Sequence, residues 1–212
     1  MAVAIETSVG GSTATSPVDI ALTITSAVKA LVLLHSQVDD TNGADCTAMW
    51  NTDEAFTELL DFETTWGRAD VYIMYLNNPT AGNFNVTVTR LGARGYAYIW
   101  ALTDCGYFPA AMVDSGTAEV NPNTIVNVDG LTAKAGEMAL GGGAAYQGTV
   151  ANAPVGGCVE DADTPTIDGY FWAGHELAGD NIGFSNAESK NRSCAAIVVA
   201  EPVLAGGPKW FF

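Results

Sequence analysis

The feature that most constrains the fold is a period-two alternation of apolar and polar residues. It is clearest in residues 84–91, FNVTVTRL, where every second side chain is apolar up to Val88, as in a β-strand with one buried face. Residues 69–76 and 95–103 are apolar on both faces, which is expected of strands that are covered on both sides. The chain therefore favours sheets over helices.

Similar extended segments recur along the chain and are separated by turn-forming residues, such as NNPTAGN at 77–83. They occupy residues 18–25, 27–38, 46–51, 123–131, 137–146, 167–174 and 194–204. About ten short strands predict an all-β, antiparallel β-sandwich of jelly-roll or Ig-like type. We predict a sandwich domain at 17–204, an N-terminal arm at 1–16 and a C-terminal aromatic tail at 205–212.

Some segments are harder to place. Residues 51–62, NTDEAFTELLDF, fit a capped amphipathic helix and a strand equally well. Residues 149–166 are acidic, and their Pro and Gly residues break any periodicity, so they predict a long loop. We expect five apolar residues to be buried in the core: Phe84, Val86, Val88, Ile73 and Ile99.

The charge of the chain limits its partners. Its 24 acidic and 8 basic residues give a formal net charge of -16, which disfavours binding to nucleic acid and to anionic membranes. The first seventeen residues have neither the basic nor the apolar region of a secretory signal. These features predict synthesis and folding in a cytoplasm.

The residues that most often carry chemistry are few. The four cysteines are too far apart for a zinc-binding motif, and buried free thiols are favoured over a disulfide: Cys46, Cys105, Cys158 and Cys194. His35 and His175 have no nucleophile or acid at a motif spacing, so we expect each to be a surface or hydrogen-bonded imidazole.

Residues 111–120, AMVDSGTAEV, resemble the active-site loop of aspartic proteases. Those enzymes need two carboxylates that share one proton, and this sequence has a single Asp-Ser/Thr-Gly loop. We therefore predict that Asp114 lies in a solvent-facing turn. A hydrolase that uses Asp114 stays as an alternative.

Oxygen ligands for calcium are concentrated in residues 39–45, DDTNGAD. Their spacing does not match an EF-hand loop, and a second acidic group lies at 160–163. We regard Asp39, Asp40, Asn42 and Asp45 as a candidate Ca²⁺ site and expect no other cofactor.

Aromatic residues are concentrated in the predicted strands: Tyr72, Tyr75, Tyr96, Tyr98, Trp100, Tyr170, Phe171 and Trp172. An exposed row of such rings would be a platform for sugars, whereas a buried row would be core. Alternation cannot decide between the two, because residues 69–76 and 95–103 are apolar on both faces. We favour the core interpretation.

Residues 71–92, VYIMYLNNPTAGNFNVTVTRLG, resemble a hairpin found in β-sandwich proteins of bacteriophage and bacterial genomes. The residues that carry the resemblance are Tyr75, Leu76, Asn78, Pro79, Gly82, Asn85, Val86 and Val88. Several of these proteins look like virion components. The resemblance implies a sandwich fold and a place in a virus particle.

These observations predict a non-enzymatic virion protein, and a capsid decoration or head-surface protein of a bacteriophage or related virus fits best. Its partners would be itself and other virion proteins. The expected assembly contacts are in the aromatic end of the tail: Lys209, Trp210, Phe211 and Phe212. A tail folded back on its own domain, and a carbohydrate- or receptor-binding module of tail-fibre or adhesin type, are the alternatives.

Overall fold

The computed structural model describes residues 2–13, 16–38, 46–65, 69–90, 95–165 and 169–202. All regular structure in these ranges is β-strand: β1 (Ala4–Ser12), β2 (Val18–Ile24), β3 (Ala30–Gln37), β4 (Cys46–Trp50), β5 (Glu54–Ala55), β6 (Thr57–Phe62), β7 (Asp70–Asn77), β8 (Gly82–Arg90), β9 (Gly95–Thr103), β10 (Met112–Asp129), β11 (Met138–Tyr146), β12 (Ala153–Pro154), β13 (Val159–Pro165), β14 (Gly169–Leu177) and β15 (Asn181–Val199). The described ranges contain no helix that is long and apolar enough to cross a membrane.

The strands form three antiparallel sheets. The four-stranded sheet has the order β2-β8-β4-β5, and the middle sheet has the order β1-β9-β3-β7-β6. The six-stranded sheet has the order β10-β15-β11-β14-β13, with β12 paired to β15. The predicted all-β, antiparallel class is confirmed, but the fold has three sheets and fifteen strands in its described ranges rather than one sandwich of about ten.

The middle sheet separates two hydrophobic cores. Leu31 and Leu33 of β3 belong to the core shared with the four-stranded sheet. Val32 and Leu34 point the other way, into the core shared with the six-stranded sheet. All eight residues of β3 are buried. Strands that are apolar on both faces need a covering layer on each side, which is why the molecule is a stack of three sheets.

A third core lies on the other face of the six-stranded sheet. The long strands β10 and β15 pair along most of their length, with register shifts between Val120 and Ile125. Beyond these shifts the two-stranded ribbon of β10 and β15 folds back, so that Val128 of β10 packs against the first half of the same strand. A Cβ atom on Gly116 would lie 2.5 Å from Val128 Cγ1. Phe184 and Trp172 are part of this core.

Buried Arg192 holds the fold-back in place. Its guanidinium donates hydrogen bonds to the backbone oxygen of Asn123 at 2.9 Å and of Glu188 at 2.5 Å. It also donates to the side-chain oxygens of Asn152 and Asn186 and lies 5.5 Å from the centre of the Phe184 ring. Desolvation lowers the pKa of this guanidinium, and the charge of Glu188 acts in the opposite direction. The acceptors of its hydrogen bonds are amide oxygens of the backbone and of Asn side chains.

Several predicted segments differ from the structure. Residues 51–62 contain no helix: a turn at Asn51 and Thr52 leads into β5 and β6. The predicted loop at 149–166 includes the edge strand β13. Most of the described part of the predicted N-terminal arm is β1, which pairs with β9 at the edge of the middle sheet. Strand β1 is rich in Gly, Ser and Thr and therefore lacks the apolar pattern by which a strand is recognised. An edge strand needs little apolar surface.

The predicted core is confirmed for Val86, Val88, Ile73 and Ile99, which are at most 1% exposed. Phe84 is an exception, because its side chain is only partly buried. Its ring packs edge-to-face on Trp50, with 5.4 Å between the ring centres. Phe84 lies near the start of its strand, opposite Leu22 of β2.

Candidate functional site

Asp114 lies in strand β10, opposite Val198 of β15, and not in the predicted turn. Its carboxylate accepts hydrogen bonds from the backbone N–H of Thr132 at 2.9 Å, from Thr132 Oγ1 at 2.7 Å and from the N–H of Ser115 at 2.9 Å. These bonds lower the pKa of Asp114, the Thr132 hydroxyl contributing most. Its hydrogen-bond partners in the described ranges include no carboxylate, so it lacks the shared proton of an aspartic protease.

The same arrangement recurs at three other places. In each, one carboxylate accepts both the backbone N–H and the hydroxyl of a threonine from a distant segment, at 2.5–2.8 Å. The pairs are Glu6 with Thr25, Glu119 with Thr65 and Glu188 with Thr149. We call these four contacts, including Asp114 with Thr132, the carboxylate–threonine clamps. Part of the acidity of the chain is therefore used to fasten loops to strands.

The described polar group most similar to a catalytic one is built on His175, which lies in β14. His175 Nδ1 is 2.9 Å from both carboxylate oxygens of Asp161 on the neighbouring edge strand β13. Trp100 Nε1, from the middle sheet, donates a hydrogen bond to Asp161 Oδ2 at 2.7 Å. The carboxylate thus links two sheets and fixes the orientation of the imidazole.

This pair resembles the base and the orienting acid of a catalytic triad, and no nucleophile accompanies it among the described residues. In the described ranges His175 hydrogen-bonds to Asp161, and no hydroxyl or thiol is bonded to its ring. The nearby Cys158 is buried, and its pKa is raised to about 12 by burial and by Glu176 and Asp161. A thiol with such a pKa is not a nucleophile at neutral pH. Chemically, the group suits a cross-sheet contact better than acyl transfer.

Two further carboxyl groups lie on β13. Burial raises the pKa of Glu160, and Asp163 raises it further. Burial also raises the pKa of Asp163, although two hydrogen bonds from Asn152 act in the opposite direction. No group of three or more potential metal ligands occurs among the residues that the structure describes. The candidate Ca²⁺ ligands Asp39, Asp40, Asn42 and Asp45 lie outside those residues.

The other histidine is structural. His35 is completely buried in β3, and its Nε2 is 3.1 Å from Thr13 Oγ1. All four cysteines are buried and free, as predicted. Six of the eight aromatic residues considered above are at most 7% exposed and belong to the core: Tyr72, Tyr98, Trp100, Tyr170, Phe171 and Trp172. The core interpretation is confirmed for these six.

An apolar surface lies where the described chain approaches its C-terminal tail. We call it the Tyr107 surface; it forms a shallow groove of about 320 Å³ lined by Gly106, Tyr107, Ala110, Ala111, Val113, Ala200, Glu201 and Pro202. Tyr107 is 63% exposed and Val113 is 49% exposed. Ala200 is fixed there, since its carbonyl accepts from Gly106 N at 3.0 Å and its N–H donates to Ala111 O at 2.8 Å. The predicted contact residues Lys209, Trp210, Phe211 and Phe212 follow, outside the described residues.

Sequence reasoning missed the contact between His175 and Asp161, which are fourteen residues apart and become neighbours through the β13–β14 hairpin. It also missed the role of Arg192, which stands among polar residues in the sequence NAESKNRSC at 186–194. Comparisons of the chain with protein families, with curated proteins and with solved structures find no match.

Proposed function

We propose that this chain is a structural protein of a virus particle, and that it decorates the head surface of a bacteriophage or related virus. The observation that carries the proposal is the Tyr107 surface. Exposed apolar residues next to the fixed start of an aromatic tail form a suitable docking face, because aromatic anchors supply much of the energy of protein interfaces.

The charge and the body of the protein support the same function. A net charge of -16 would keep assembled particles apart. The apolar docking face would then be the point of attachment. The sheets of residues 4–103 pack face to face, in keeping with a sandwich of jelly-roll or Ig-like ancestry. The proposal assigns no catalysis, and it places the protein in the virion after synthesis in the host cytoplasm.

The partners in this proposal are other copies of the chain and the shell beneath them. Ten residues beyond Pro202 reach at most about 33–36 Å, which is far enough to contact a neighbouring subunit. The aromatic rings of the tail would then be buried in the shell or in a neighbour, with Lys209 at the rim. Neither nucleic acid nor membrane is needed.

Labelling of intact particles tests the proposal directly. Antibodies raised against the purified chain should label the heads of virus particles from the source culture in electron micrographs. Removing residues 208–212, or changing Tyr107→Ser together with Val113→Thr, should lower occupancy on particles at least tenfold. The matched control is Ile125→Thr, which alters an exposed apolar residue outside the Tyr107 surface.

Two outcomes would contradict the proposal. One is the absence of label on particles when the chain is abundant in the same cells. The other is full occupancy by both the truncated chain and the double variant. Label confined to tail fibres would instead support the alternative, a receptor- or carbohydrate-binding module.

A further inference from the structure

The Tyr107 surface is a groove beside one large ring, and most of its other lining residues are small. Tyr107 is 63% exposed, whereas Gly106, Ala110, Ala111 and Ala200 leave the space of about 320 Å³ open beside it. This volume is close to the lower limit of the roughly 300–1,000 Å³ of ligand pockets. A mostly apolar groove of this size fits a short apolar segment better than the flat face of a folded domain.

The part of the groove that contains Tyr107 is already held in place. The N–H of Ala111 donates to the backbone oxygen of Tyr107 at 2.8 Å, which closes a turn. Phe108 anchors this turn to β7, because its ring stacks on Tyr75 with 5.3 Å between the ring centres. The backbone N–H and oxygen of Phe108 both hydrogen-bond to the side chain of Asn77, at 3.1 and 2.9 Å. A preformed groove gains affinity because little has to be ordered when a ligand binds.

Another part of the lining leads directly into the aromatic tail. Pro202 lines the groove, and residues 203–212, VLAGGPKWFF, follow it. The residues that favour a tight reversal are Gly206 and Gly207, but a two-residue turn there needs a closing hydrogen bond from the N–H of residue 208. Residue 208 is proline, which has no N–H. The sequence therefore disfavours return of the tail to its own groove and favours its insertion into another copy, as in domain swapping.

Charge favours the tail over other parts of a second copy. The chain has a formal net charge of -16 and only 8 basic residues, so most surfaces of two copies repel each other. Lys209 is one of these basic residues and directly precedes Trp210. Glu201 lines the groove, which therefore has a negative charge to attract the ammonium of an inserted tail.

We propose that the Tyr107 surface of one copy binds residues 208–212 of a second copy. The rings of the inserted segment would pack on Tyr107 and Val113, and Lys209 would lie beside Glu201. Because the groove and the tail are different surfaces, the contact joins copies head to tail and closes into a ring. As an account of how subunits are joined on a particle this inference rests on the proposed function, but the contact itself is measured without particles.

Sedimentation velocity of the purified full chain over a series of concentrations measures self-association. We expect the full chain to associate, and removal of residues 208–212, or Tyr107→Ser together with Val113→Thr, to weaken the association at least about tenfold. Ile125→Thr is the matched control and should associate like the original chain, because Ile125 is exposed and lies outside the Tyr107 surface. The far-ultraviolet circular dichroism of every altered chain must equal that of the original.

A mixture of the two altered chains identifies the two partners of the contact. The truncated chain keeps the groove and lacks the inserted segment, whereas the double variant keeps the segment and lacks the ring of Tyr107. The mixture should form a one-to-one complex with a Kd of about 100 µM or tighter, at concentrations at which neither chain associates alone.

Three outcomes would overturn the proposal. The full chain stays monomeric over the whole series, either altered chain associates as strongly as the Ile125→Thr control, or the mixture forms no complex. The first outcome together with a complex in the mixture would mean that each tail occupies its own groove. Particles that carry no label, although the purified chain associates as expected, would contradict the proposed function alone.

Discussion

Two adjacent leucines test the three-sheet stack. Leu33 and Leu34 follow each other in β3, are at most 2% exposed and belong to different cores. In a two-sheet sandwich successive residues of a strand alternate between core and solvent, so one of the two would be tolerant to truncation. In the stack, Leu33→Ala and Leu34→Ala should both destabilise the protein.

The size of the effect follows from burial and from the rigidity of the neighbours. Truncation of a buried Leu to Ala costs about 2–5 kcal/mol, and more where the cavity cannot collapse. Leu34 Cδ2 lies 2.7 Å from the position that a Cβ atom on Gly142 would take, so it packs on the backbone of β11. Backbone in the centre of a sheet relaxes little. We therefore expect about 3 kcal/mol for Leu33→Ala and about 4 kcal/mol for Leu34→Ala.

Urea unfolding followed by tryptophan fluorescence measures both free energies. In thermal unfolding each variant should lose roughly 6–16 °C in Tm, at about 2–4 °C per kcal/mol for a chain of this size. The control is Leu177→Ala, a truncation of a leucine that is 61% exposed and should change stability by less than about 0.5 kcal/mol. If either core variant behaves like Leu177→Ala, one face of the middle sheet is uncovered and the stack is wrong.

Three smaller predictions concern other contacts. Thr132→Val should raise the pKa of Asp114, as measured by carboxyl NMR titration. Because this pKa is lowered in the folded state, the clamp stabilises the fold at pH values above the ordinary pKa of Asp, and the stabilisation is lost as the pH falls through the folded pKa. For this exposed group the contribution is below about 1 kcal/mol. An unchanged pKa would contradict the clamp. Gly142→Ala should lower the free energy of unfolding in urea by about 1–3 kcal/mol, because its Cβ would meet the carbonyl oxygen of Trp172 and the Leu34 side chain. An unchanged free energy would mean that the six-stranded and middle sheets are farther apart. Arg192→Lys should lower the free energy of unfolding in urea by about 2–4 kcal/mol, since an ammonium cannot reach the four acceptors around the guanidinium. Unchanged stability would show that the fold-back does not need these hydrogen bonds.

Much of the fold could be predicted from residue patterns. The alternation through Val86 and Val88 identified β8, and the continuous apolar residues of β7 and β9 already indicated strands with two buried faces. What the patterns could not decide is how many sheets would cover those strands, because an apolar side chain does not specify its neighbour. A single sandwich of two sheets covers one face of each strand, so the predicted sandwich left the second apolar face of β7 and β9 without a covering layer.

The candidate sites were less predictable because they depend on contacts between distant strands. Strand β13 has the sequence VEDADTP and looks like an acidic loop, since an edge strand can be polar on both faces. Without that strand, the pairing of Asp161 with His175 cannot be inferred.

The order of the sheets along the chain has a consequence for biosynthesis. The four-stranded and middle sheets are complete at Thr103, whereas the six-stranded sheet comes from Met112–Val199. On a ribosome that adds about 5–20 residues per second, roughly 5–20 seconds pass between the appearance of residue 103 and that of residue 199. During that time one face of the middle sheet, including Val32, Ile73 and Trp100, has no covering layer. A nascent chain that pauses in this interval would expose an apolar surface to which chaperones, and other nascent chains on the same mRNA, could bind.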